Sequence, residues 1–354
     1  MAANSSAGQS PVGRPSIVPP VVVQPGVESL DSPVAISEDT VFQVPSFAKA
    51  TMDRQGRRMP QCIAHRGYKA KYPENTLLAF EEALKAGAKA IETDVHLTKD
   101  DVVVLSHDQT LKRCFGKKDR VLESNWDDIK NLRTLAPPHV PMPRLLDLLE
   151  YLTQPGLEDV WVLLDIKLDN QADDVMRLIA STINSVKPSP ERPWKDRIVL
   201  GIWAAKYLAL AERHLLGFSV MHIGYKISYA RQFESVPNVG FNLMVHMLMA
   251  PGGKGFIHDC QQKLHRQLLA WTVNEKDKME WCIRRRVDGV ITDDPSLFNS
   301  VCQRYDELAK EPLIPVGFRT ILDVLRIYIL VMAFFWLFRR RVKDSDLIRK
   351  VRKE

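Results

Sequence analysis

Two histidines in the amino-acid sequence stand next to short apolar runs, in positions where they could take part in hydrolytic chemistry. His65 and Arg66 follow the run 62–64, and His107 follows the run 102–105. Imidazole titrates near neutral pH, so two histidines can supply a general acid and a general base. A single histidine at a strand end is more commonly structural, but a pair beside an acidic cluster indicates a catalytic site.

Three acidic residues nearby predict a metal site. Glu92 and Asp94 are two residues apart in the run 90–95. Asp165 and Lys167 are also two apart, at the end of another run. Residues with this spacing lie on the same side of a strand. Gathered carboxylates repel one another unless a cation neutralises them, and an all-oxygen set suits Mg²⁺ or Ca²⁺. An isolated pair would more often be a solvated strand end, but the other strand ends favour the metal site.

Fixed positive charge accompanies this cluster. Arg66 and Lys167 suit an anionic phosphate, and arginine can donate two parallel hydrogen bonds to it. Arg66 could instead pair with Glu74. Glu74 and Asn75, in the motif "PENT" at 73–76, are expected to support the site through hydrogen bonds. Alternatively, Asn75 would be the N-cap of the helix that follows and would not support the site.

These side chains need a scaffold, and the sequence between about 58 and 310 predicts one. Short apolar runs at 62–64, 90–95, 102–105, 160–166, 198–202, 219–223, 268–272 and 289–291 are predicted strands. Helical patterns lie between many of them, at 76–86, 144–152, 172–185, 206–215, 275–284 and 295–308. Strands that are apolar on both faces and separated by helices predict parallel pairing. Eight such runs predict an α/β fold, a (β/α)8 TIM barrel.

In such a barrel the reactive groups lie where strands meet the loops that follow them. We therefore expect the first four predicted strands to bring the polar side chains to one rim. A run at 240–245 is a spare strand candidate. A doubly wound open sheet is the competing fold, although no G-x-G-x-x-G motif follows the first strand.

The bulk composition of the 354 residues is that of a globular protein, with 45% hydrophobic and 26% charged residues. The five cysteines are scattered without a C-x-x-C pair, so neither a disulfide framework nor a structural zinc site is indicated, and a cytosol-facing barrel is expected. Residues 1–45 are rich in Pro, Ser, Val and Gly, and we expect a disordered tail there. This tail matches neither a secretory signal nor a mitochondrial presequence.

The net charge of +6 is concentrated at the carboxyl terminus. Residues 339–354 carry eight Lys or Arg and three Asp or Glu, which leaves a charge of +1 for the rest of the chain. This distribution disfavours a nucleic-acid partner. A basic tail directly after the apolar stretch 327–338 indicates a membrane surface as partner.

Residues 316–338 are predicted to form a membrane-associated helix. The uncharged part, 327–338, is about 18 Å long as a helix, against about 30 Å of bilayer hydrocarbon. Arg319, Asp323 and Arg326 share one helical face, which favours a helix lying in one leaflet with the basic tail at anionic head groups. A tilted span and a helix docked on the barrel are the alternatives.

Several motifs occur together in the region 61–300, namely "AHRG", "PENT", "ETDVHLTKDDVVVLSHD", "LLDIK", "AWTVN" and "DGVITDDP". In this order and spacing they resemble the glycerophosphodiester phosphodiesterases. With the membrane-type tail, the chain looks most like the fungal phosphatidylglycerol phospholipase C subgroup. The resemblance implies a barrel of the phospholipase C-like phosphodiesterase type that needs a divalent metal ion.

The resemblance also implies residue roles. His65 and His107 would be acid and base, Glu92 and Asp94 would bind metal, and Arg66 and Lys167 would contact phosphate. Many members carry Glu at the third metal position, where this chain has Asp165, so the ion would move toward that strand or a water would bridge the gap. Trp271 would form a wall for the glycerol or acyl group, unless it belongs to the core. The segment 288–295 would close the eighth strand and orient the site.

A membrane address favours a phospholipid substrate. We expect phosphatidylglycerol to be cleaved to diacylglycerol and glycerol 3-phosphate, through attack by the 2-hydroxyl of the head group and a cyclic intermediate. The alternatives are a glycerophosphodiesterase, a lysophospholipase D, a phospholipase D-like lyase, and a membrane-tethered lipid-binding protein without turnover. The membrane would be that of the endoplasmic reticulum, a lipid droplet or a mitochondrion, and no protein partner is inferred.

Overall fold

The structure is a computed structural model that describes residues 42–306 and 316–338. Most of the predicted disordered tail, 1–41, and the basic tail 339–354 lie outside the described residues. The strands of the described part are β1 (Thr51–Met52), β2 (Arg58–Met59), β3 (Gln61–His65), β4 (Ala90–Leu97), β5 (Val103–Leu105), β6 (Trp161–Ile166), β7 (Ile198–Ile202), β8 (Ser219–Gly224), β9 (Gly240–Met244), β10 (Leu268–Trp271) and β11 (Gly289–Thr292).

Eight of these strands form a closed parallel barrel. Their hydrogen-bonded order is β3-β11-β10-β9-β8-β7-β6-β4, and β3 pairs with β4 to close the ring. The predicted α/β TIM barrel is therefore confirmed. Its strands are buried along nearly their whole length, because helices cover the outside and side chains fill the inside.

The prediction of which runs form the barrel was wrong at one point. The run 102–105 gives β5, which pairs antiparallel with β4 outside the ring, and the spare candidate gives β9, the sixth barrel strand. Only residues 98–102 separate β4 from β5. Such a short connection permits an antiparallel hairpin, whereas a parallel crossover needs a dozen residues or more.

The helices lie outside the barrel or in the connections at its ends. They are α1 (Leu77–Lys85), α2 (Lys112–Phe115), α3 (Trp126–Ile129), α4 (Leu145–Tyr151), α5 (Ala172–Ser185), α6 (Lys206–His214), α7 (Ile227–Ala230), α8 (Val245–Met249), α9 (Gly253–His258), α10 (Lys276–Arg284), α11 (Pro295–Arg304) and α12 (Phe318–Phe338). One large apolar cluster lies between the helices and the strands, and a smaller one fills the barrel interior.

The segment that precedes β3 closes the amino-terminal end of the barrel. The ring of Phe47 packs edge-on against Trp161, with 5.7 Å between centroids. Gln61 donates from Nε2 to the carbonyl oxygen of Phe47 at 2.6 Å and accepts from Trp161 Nε1 at 2.8 Å. Because this end is filled, the open mouth of the barrel is the carboxyl end of the strands.

The last helix, α12, docks on the outside of the barrel. It contacts α8, and Asp323 pairs with Lys278 of α10 at 2.7 Å. This arrangement is the docked alternative foreseen from the sequence; attachment to a membrane stays a prediction. In the part of the chain that the structure describes, we find no helix with the length and apolarity needed to cross a bilayer.

Candidate active site

The first barrel strand ends in a sharp turn that presents two candidate residues at the mouth. His65 is the last residue of β3, and Arg66 follows with a φ of 56°. Gly67 has a φ of 83°, and a Cβ there would lie 2.7 Å from the backbone carbon of Ala79. Only glycine fits this close approach to α1. The turn lets the backbone N–H of Arg66 donate to a carboxylate oxygen of Glu92 at 3.0 Å.

Three buried carboxylates meet at the mouth on neighbouring strands. Glu92 and Asp94 lie on β4, and Asp165 lies opposite Asp94 on β6. One oxygen from each carboxylate lies within 4.8 Å of one from each of the others. Asp165 therefore reaches the group despite being one methylene shorter than glutamate. The sequence predicted that Asp165 lies on the fourth barrel strand. This count was wrong, because β6 is the third barrel strand in chain order.

Two buried cations pair with these carboxylates. Lys167 Nζ lies 2.6 Å from Asp94 Oδ1 and 2.6 Å from Asp165 Oδ2. Arg66 Nε lies 3.1 Å from Asp94 Oδ2, and its Nη1 lies 2.9 Å from Glu74 Oε1. The pairing of Arg66 with Glu74, foreseen as the alternative, is thus present. Its predicted contact with phosphate stays a prediction.

The charges of the group are unevenly compensated. Burial, together with Asp94 and Asp165, raises the pKa of Glu92 well above its ordinary value. Burial alone would also raise the pKa of Asp94, but Lys167 and Arg66 hold it well below the usual range. Three carboxylates thus lie beside two cations. A further positive charge would stabilise the ionised form of Glu92 and lower its pKa. The donor set fits a hard divalent ion, whose ligands are carboxylate oxygens.

The two candidate histidines each have one ring nitrogen held by a carboxylate. Nδ1 of His65 lies 2.5 Å from Asp293 Oδ1, and Nδ1 of His107 lies 2.9 Å from Asp108 Oδ1. Burial and Arg66 lower the pKa of His65 to about 4, against the effect of Asp293. Burial also lowers the pKa of His107. Each ring keeps its Nε2 for proton transfer.

His107 reaches the mouth by a route that the sequence did not indicate. It follows β5, which is not a barrel strand, so the expectation of four successive barrel strands was wrong. The short hairpin with β4 places it, because Leu105 pairs with Val95 and Ser106 N–H donates to Asp94 C=O at 3.0 Å. Three barrel strands and one hairpin therefore supply the histidines, the carboxylate group and its two cations.

The motif at 73–76 supports the site in a specific way. Asn75 Nδ2 donates to Asp94 Oδ2 at 2.8 Å, and Asn75 Oδ1 accepts from Thr93 Oγ1 at 2.8 Å. The helix cap is Thr76, whose Oγ1 accepts from Ala79 N–H at 3.2 Å. The alternative role of Asn75 as an N-cap was therefore wrong.

Glu74 connects the first turn to the loop that carries His107. Both of its oxygens accept hydrogen bonds from Arg113 at 2.7 Å, and Arg113 also pairs with Asp108 at 2.7 Å. Burial would raise the pKa of Glu74, but Arg113 and Arg66 lower it to about 2. Arg113, which the sequence did not single out, therefore links the partners of Arg66 and His107.

Aromatic rings line the mouth beside Asp165. Trp271 is half-buried; its Nε1 donates to Asn242 C=O at 3.0 Å, and its ring meets Trp203 edge-on at 5.7 Å. Trp203 Nε1 donates to Asp165 Oδ1 at 2.6 Å. Tyr225 adds a third ring, 6.0 Å from Trp203. Trp203 was not predicted as a site residue, although it directly follows β7, at the end of the barrel where reactive groups are expected.

Asp293, the acidic partner of His65, was predicted only as a member of the segment 288–295, with no role of its own. Asp293 directly follows β11, and β11 pairs with β3, so strand closure brings Asp293 beside His65. Lys69 and Asn274 contact its second oxygen at 3.4 Å and 3.0 Å.

Residues 65–297 match the glycerophosphoryl diester phosphodiesterase family. The chain belongs to this family. It is therefore a glycerophosphodiester phosphodiesterase, a phosphoric diester hydrolase, and the alternative of a lipid-binding protein without turnover is set aside.

Individual relatives resemble the barrel rather than the whole chain. A glycerophosphodiester phosphodiesterase of Bacillus altitudinis is 28% identical over 251 residues, which cover 67% of this chain and 96% of the relative. The solved glycerophosphodiester phosphodiesterase of Parabacteroides distasonis has a TM-score of 0.60 at 23% identity, covering 70% of this chain and 99% of its own. A phosphodiesterase of Oleispira antarctica, solved with the product sn-glycerol-3-phosphate, has a TM-score of 0.60 at 19% identity, covering 69% and 97%. The two structures share the barrel fold.

Proposed function

We propose that this phosphodiesterase cleaves phosphatidylglycerol at a membrane surface, as membership of the fungal phosphatidylglycerol phospholipase C subgroup would imply. The products would be diacylglycerol and glycerol 3-phosphate. The observation that carries the proposal is α12, which turns Phe318, Leu325 and Ile329 outward, with 72%, 52% and 57% of their surface exposed. An enzyme for small soluble diesters gains nothing from such a surface, whereas a phospholipid must be met at the bilayer.

His65 and His107 carry the proton transfers in this proposal. Asp293 and Asp108 occupy Nδ1 of the two rings, so each ring offers Nε2 to the reacting group. A carboxylate on Nδ1 fixes the ring orientation and stabilises the imidazolium that forms when Nε2 takes a proton. One histidine accepts the proton of the attacking hydroxyl, and the other protonates the departing oxygen.

Glu92, Asp94 and Asp165 would hold the divalent ion, Mg²⁺ or Ca²⁺. When bound, such an ion supplies positive charge that stabilises the negative charge developing on the phosphate oxygens. Lys167 and Arg66 already contact the same carboxylates. They are therefore placed to share the binding of an anionic phosphate.

The cleavage follows from the substrate's own glycerol. Its 2-hydroxyl oxygen attacks phosphorus, the bond from phosphorus to the diacylglycerol oxygen breaks, and the proton moves to that oxygen through the two histidines. An attack within one molecule has a large proximity advantage. Water then opens the cyclic glycerol phosphate to glycerol phosphate, with the same histidines in exchanged roles.

The aromatic side of the mouth suits the rest of the substrate. Trp203 and Trp271 present apolar ring surface next to Asp165, so the glycerol or acyl-glycerol part would pack there while the phosphate faces the charged side. The Oleispira antarctica phosphodiesterase was solved with sn-glycerol-3-phosphate, which is the kind of product proposed here.

The test is product identification from purified full-length protein. Phosphatidylglycerol, lysophospholipids and soluble glycerophosphodiesters are each incubated with and without a chelator. The proposal requires diacylglycerol and glycerol phosphate from phosphatidylglycerol, abolished by the chelator. Turnover of soluble diesters alone would favour the glycerophosphodiesterase alternative, and a lysophosphatidic acid product would favour the lysophospholipase D alternative. A phosphatidic acid product would indicate D-type cleavage.

We further propose that the barrel faces the cytosol at the endoplasmic reticulum, a lipid droplet or a mitochondrion, and acts without a protein partner or nucleic acid. All five cysteines are free thiols, which suits a reducing compartment. Proteolysis of intact organelles tests the orientation, because a cytosolic barrel is digested without detergent.

A further inference from the structure

Helix α12 lies against the rim that carries the active site. It contacts α8, which begins directly after β9, and the first turn of α10, which follows β10. Both connections leave the carboxyl ends of barrel strands. The candidate catalytic residues lie at this same end.

A polar cluster joins α12 to this rim. Lys278 of α10 is buried, with its Nζ 2.7 Å from Asp323 Oδ2 and 2.9 Å from His246 Nε2. His246 belongs to α8, and its Nε2 lies 2.9 Å from the same oxygen of Asp323. Thr320 Oγ1 also donates to Asp277 Oδ2 at the start of α10. We call these five residues the rim cluster.

The rim cluster is close to the active site along the chain. Asn274 lies three residues before Asp277 and donates to Asp293, the partner of His65, at 3.0 Å. A buried lysine is stable as a cation only when paired. Lys278 has two acidic partners, Glu275 at 3.3 Å and Asp323 at 2.7 Å, and the shorter contact, to Asp323, gives α12 a defined position. The contacts of Lys278 therefore fix the orientation of α12 relative to the mouth of the barrel.

Helix α12 has a mixed inward face, where Val324, Ile327 and Tyr328 are half-buried, and an exposed outward face that is also apolar. Thr320, Asp323 and Val331 face the barrel, and Thr320 and Val331 are buried. The outward face is apolar, and its exposed large side chains are Phe318, Ile321, Leu322, Leu325, Ile329, Leu330 and Met332. We call this set the apolar face. Each of these side chains keeps at least 40% of its surface exposed.

We propose that the rim cluster is an orienting device, which holds α12 so that the apolar face enters the surface of an anionic bilayer while the mouth of the barrel points at the same lipid. This inference rests on the proposed function for its substrate. The occupant follows from charge, because Arg319 and Arg326 are exposed beside the apolar face. Residues 339–354 add eight Lys or Arg against three acidic residues, a composition suited to acidic head groups.

The apolar face and the rim cluster therefore have different roles. The apolar face provides affinity for lipid, and the rim cluster provides orientation. Loss of the first should release the protein from vesicles. Loss of the rim cluster should leave the protein bound to vesicles, but with the mouth of the barrel no longer directed at the lipid. Turnover of lipid should then fall while turnover of soluble substrate is kept, because a poorly placed substrate reacts slowly.

The experiment uses the full chain and vesicles of phosphatidylcholine with phosphatidylglycerol. Asp323→Asn removes the charge of α12 that pairs with Lys278 and leaves Glu275 as the acidic partner of this lysine. Thr320→Val removes the bond to Asp277 and serves if the first variant folds poorly. Glu280→Gln is the matched control, because Glu280 also lies on α10 but pairs with Arg284 at 3.4 Å, away from the rim cluster. The double variant Leu325→Gln, Ile329→Gln tests the apolar face.

Three readouts are compared: sedimentation with vesicles, turnover of vesicle phosphatidylglycerol against soluble glycerophosphoglycerol, and hydrogen exchange of the mouth segments 203–206 and 225–229. The parent and Glu280→Gln are expected to show slower exchange of these segments on vesicles. Asp323→Asn and Thr320→Val should sediment like the parent, lose this protection, and turn over the vesicle lipid about tenfold more slowly, with soluble turnover kept. The double variant should not sediment.

The proposal is overturned if vesicles do not slow exchange of the mouth segments in the parent, if the parent does not sediment, or if Asp323→Asn and Thr320→Val behave like Glu280→Gln. The substrate assignment can fail separately. A parent that leaves phosphatidylglycerol intact, yet shows mouth protection that Asp323→Asn abolishes, supports the orientation and refutes the lipid substrate.

Discussion

Asp293 Oδ1 lies 2.5 Å from Nδ1 of His65, although 228 residues separate them in the sequence. Barrel closure explains the contact. β11 and β3 are neighbours in the ring, His65 is the last residue of β3, and Asp293 directly follows β11, so both residues lie at the mouth. The carboxylate holds the ring in one orientation and one protonation pattern. This relationship gives His65 the environment of a proton-transfer residue.

Substitution of Asp293 with Asn is expected to lower kcat by up to about 10⁴-fold with little change in KM, because His65 stays in place but loses its charged partner. Steady-state kinetics on a soluble glycerophosphodiester measure this effect. Asp294→Asn is the control for a general loss of structure, since Asp294 caps α11 through Leu297 N–H and does not contact His65 in the structure. Equal kcat values for Asp293→Asn and the parent would contradict the role of Asp293.

The hydrogen bond from Trp203 to Asp165 predicts an effect on metal affinity. Trp203→Phe keeps an aromatic ring but removes the N–H that orients the carboxylate. Loss of such a supporting bond lowers metal affinity about 10- to 100-fold. Trp271→Phe is the matched control, since its N–H binds the backbone of Asn242 instead. Calorimetric titration with Mg²⁺ or Ca²⁺ measures both, and equal losses would refute a specific role for Trp203.

The buried state of His65 predicts a pH dependence of stability in metal-free protein. Its pKa is about 4 when folded, below its ordinary value of 6.5. As the pH falls from 6.5 toward 4, the unfolded chain therefore binds a proton that the folded chain does not, and the free energy of unfolding decreases. The contribution is at most about 1.4 kcal/mol per pH unit.

Urea unfolding of the parent and of His65→Asn at pH 7, 6 and 5 tests this prediction. The parent should lose more stability than the variant across this range. Parallel losses in the two proteins would show that His65 is not buried in its neutral form.

The sequence was sufficient to predict the barrel and the carboxylate group, since both depend on local patterns. Alternation of apolar runs and helices indicates parallel pairing, and E-x-D spacing places Glu92 and Asp94 on one face of a strand. The sequence did not show that the run of β9 is a barrel strand and the run of β5 is not, because both runs are short and apolar. The length of the connection to β4 carried the missing information.

Partners that lie far apart in sequence were harder to predict. Asp293, Trp203 and Arg113 act through contacts that exist only after the ring has closed or the loop has folded back. The same limit applies to α12: the polar stripe was recognised, but periodicity could not show that Asp323 faces the barrel and pairs with Lys278.

The proposed cyclic intermediate predicts a requirement for the 2-hydroxyl of the head group. A phosphatidylglycerol analogue with 2-deoxyglycerol lacks the attacking oxygen, so its cleavage should fall by several orders of magnitude, in line with the usual advantage of an intramolecular nucleophile. Its vesicle binding should be unchanged. Release of diacylglycerol from the analogue at the normal rate would refute the cyclic route and favour direct attack by water.

The central claim is that Glu92, Asp94 and Asp165 share one divalent ion at the mouth of the barrel. Anomalous diffraction from crystals soaked with Mn²⁺, as a probe of the site, tests it most directly. We predict one anomalous peak within ligand distance of all three carboxylates. No peak there, with the carboxylates still paired to Lys167 and Arg66, would contradict the account.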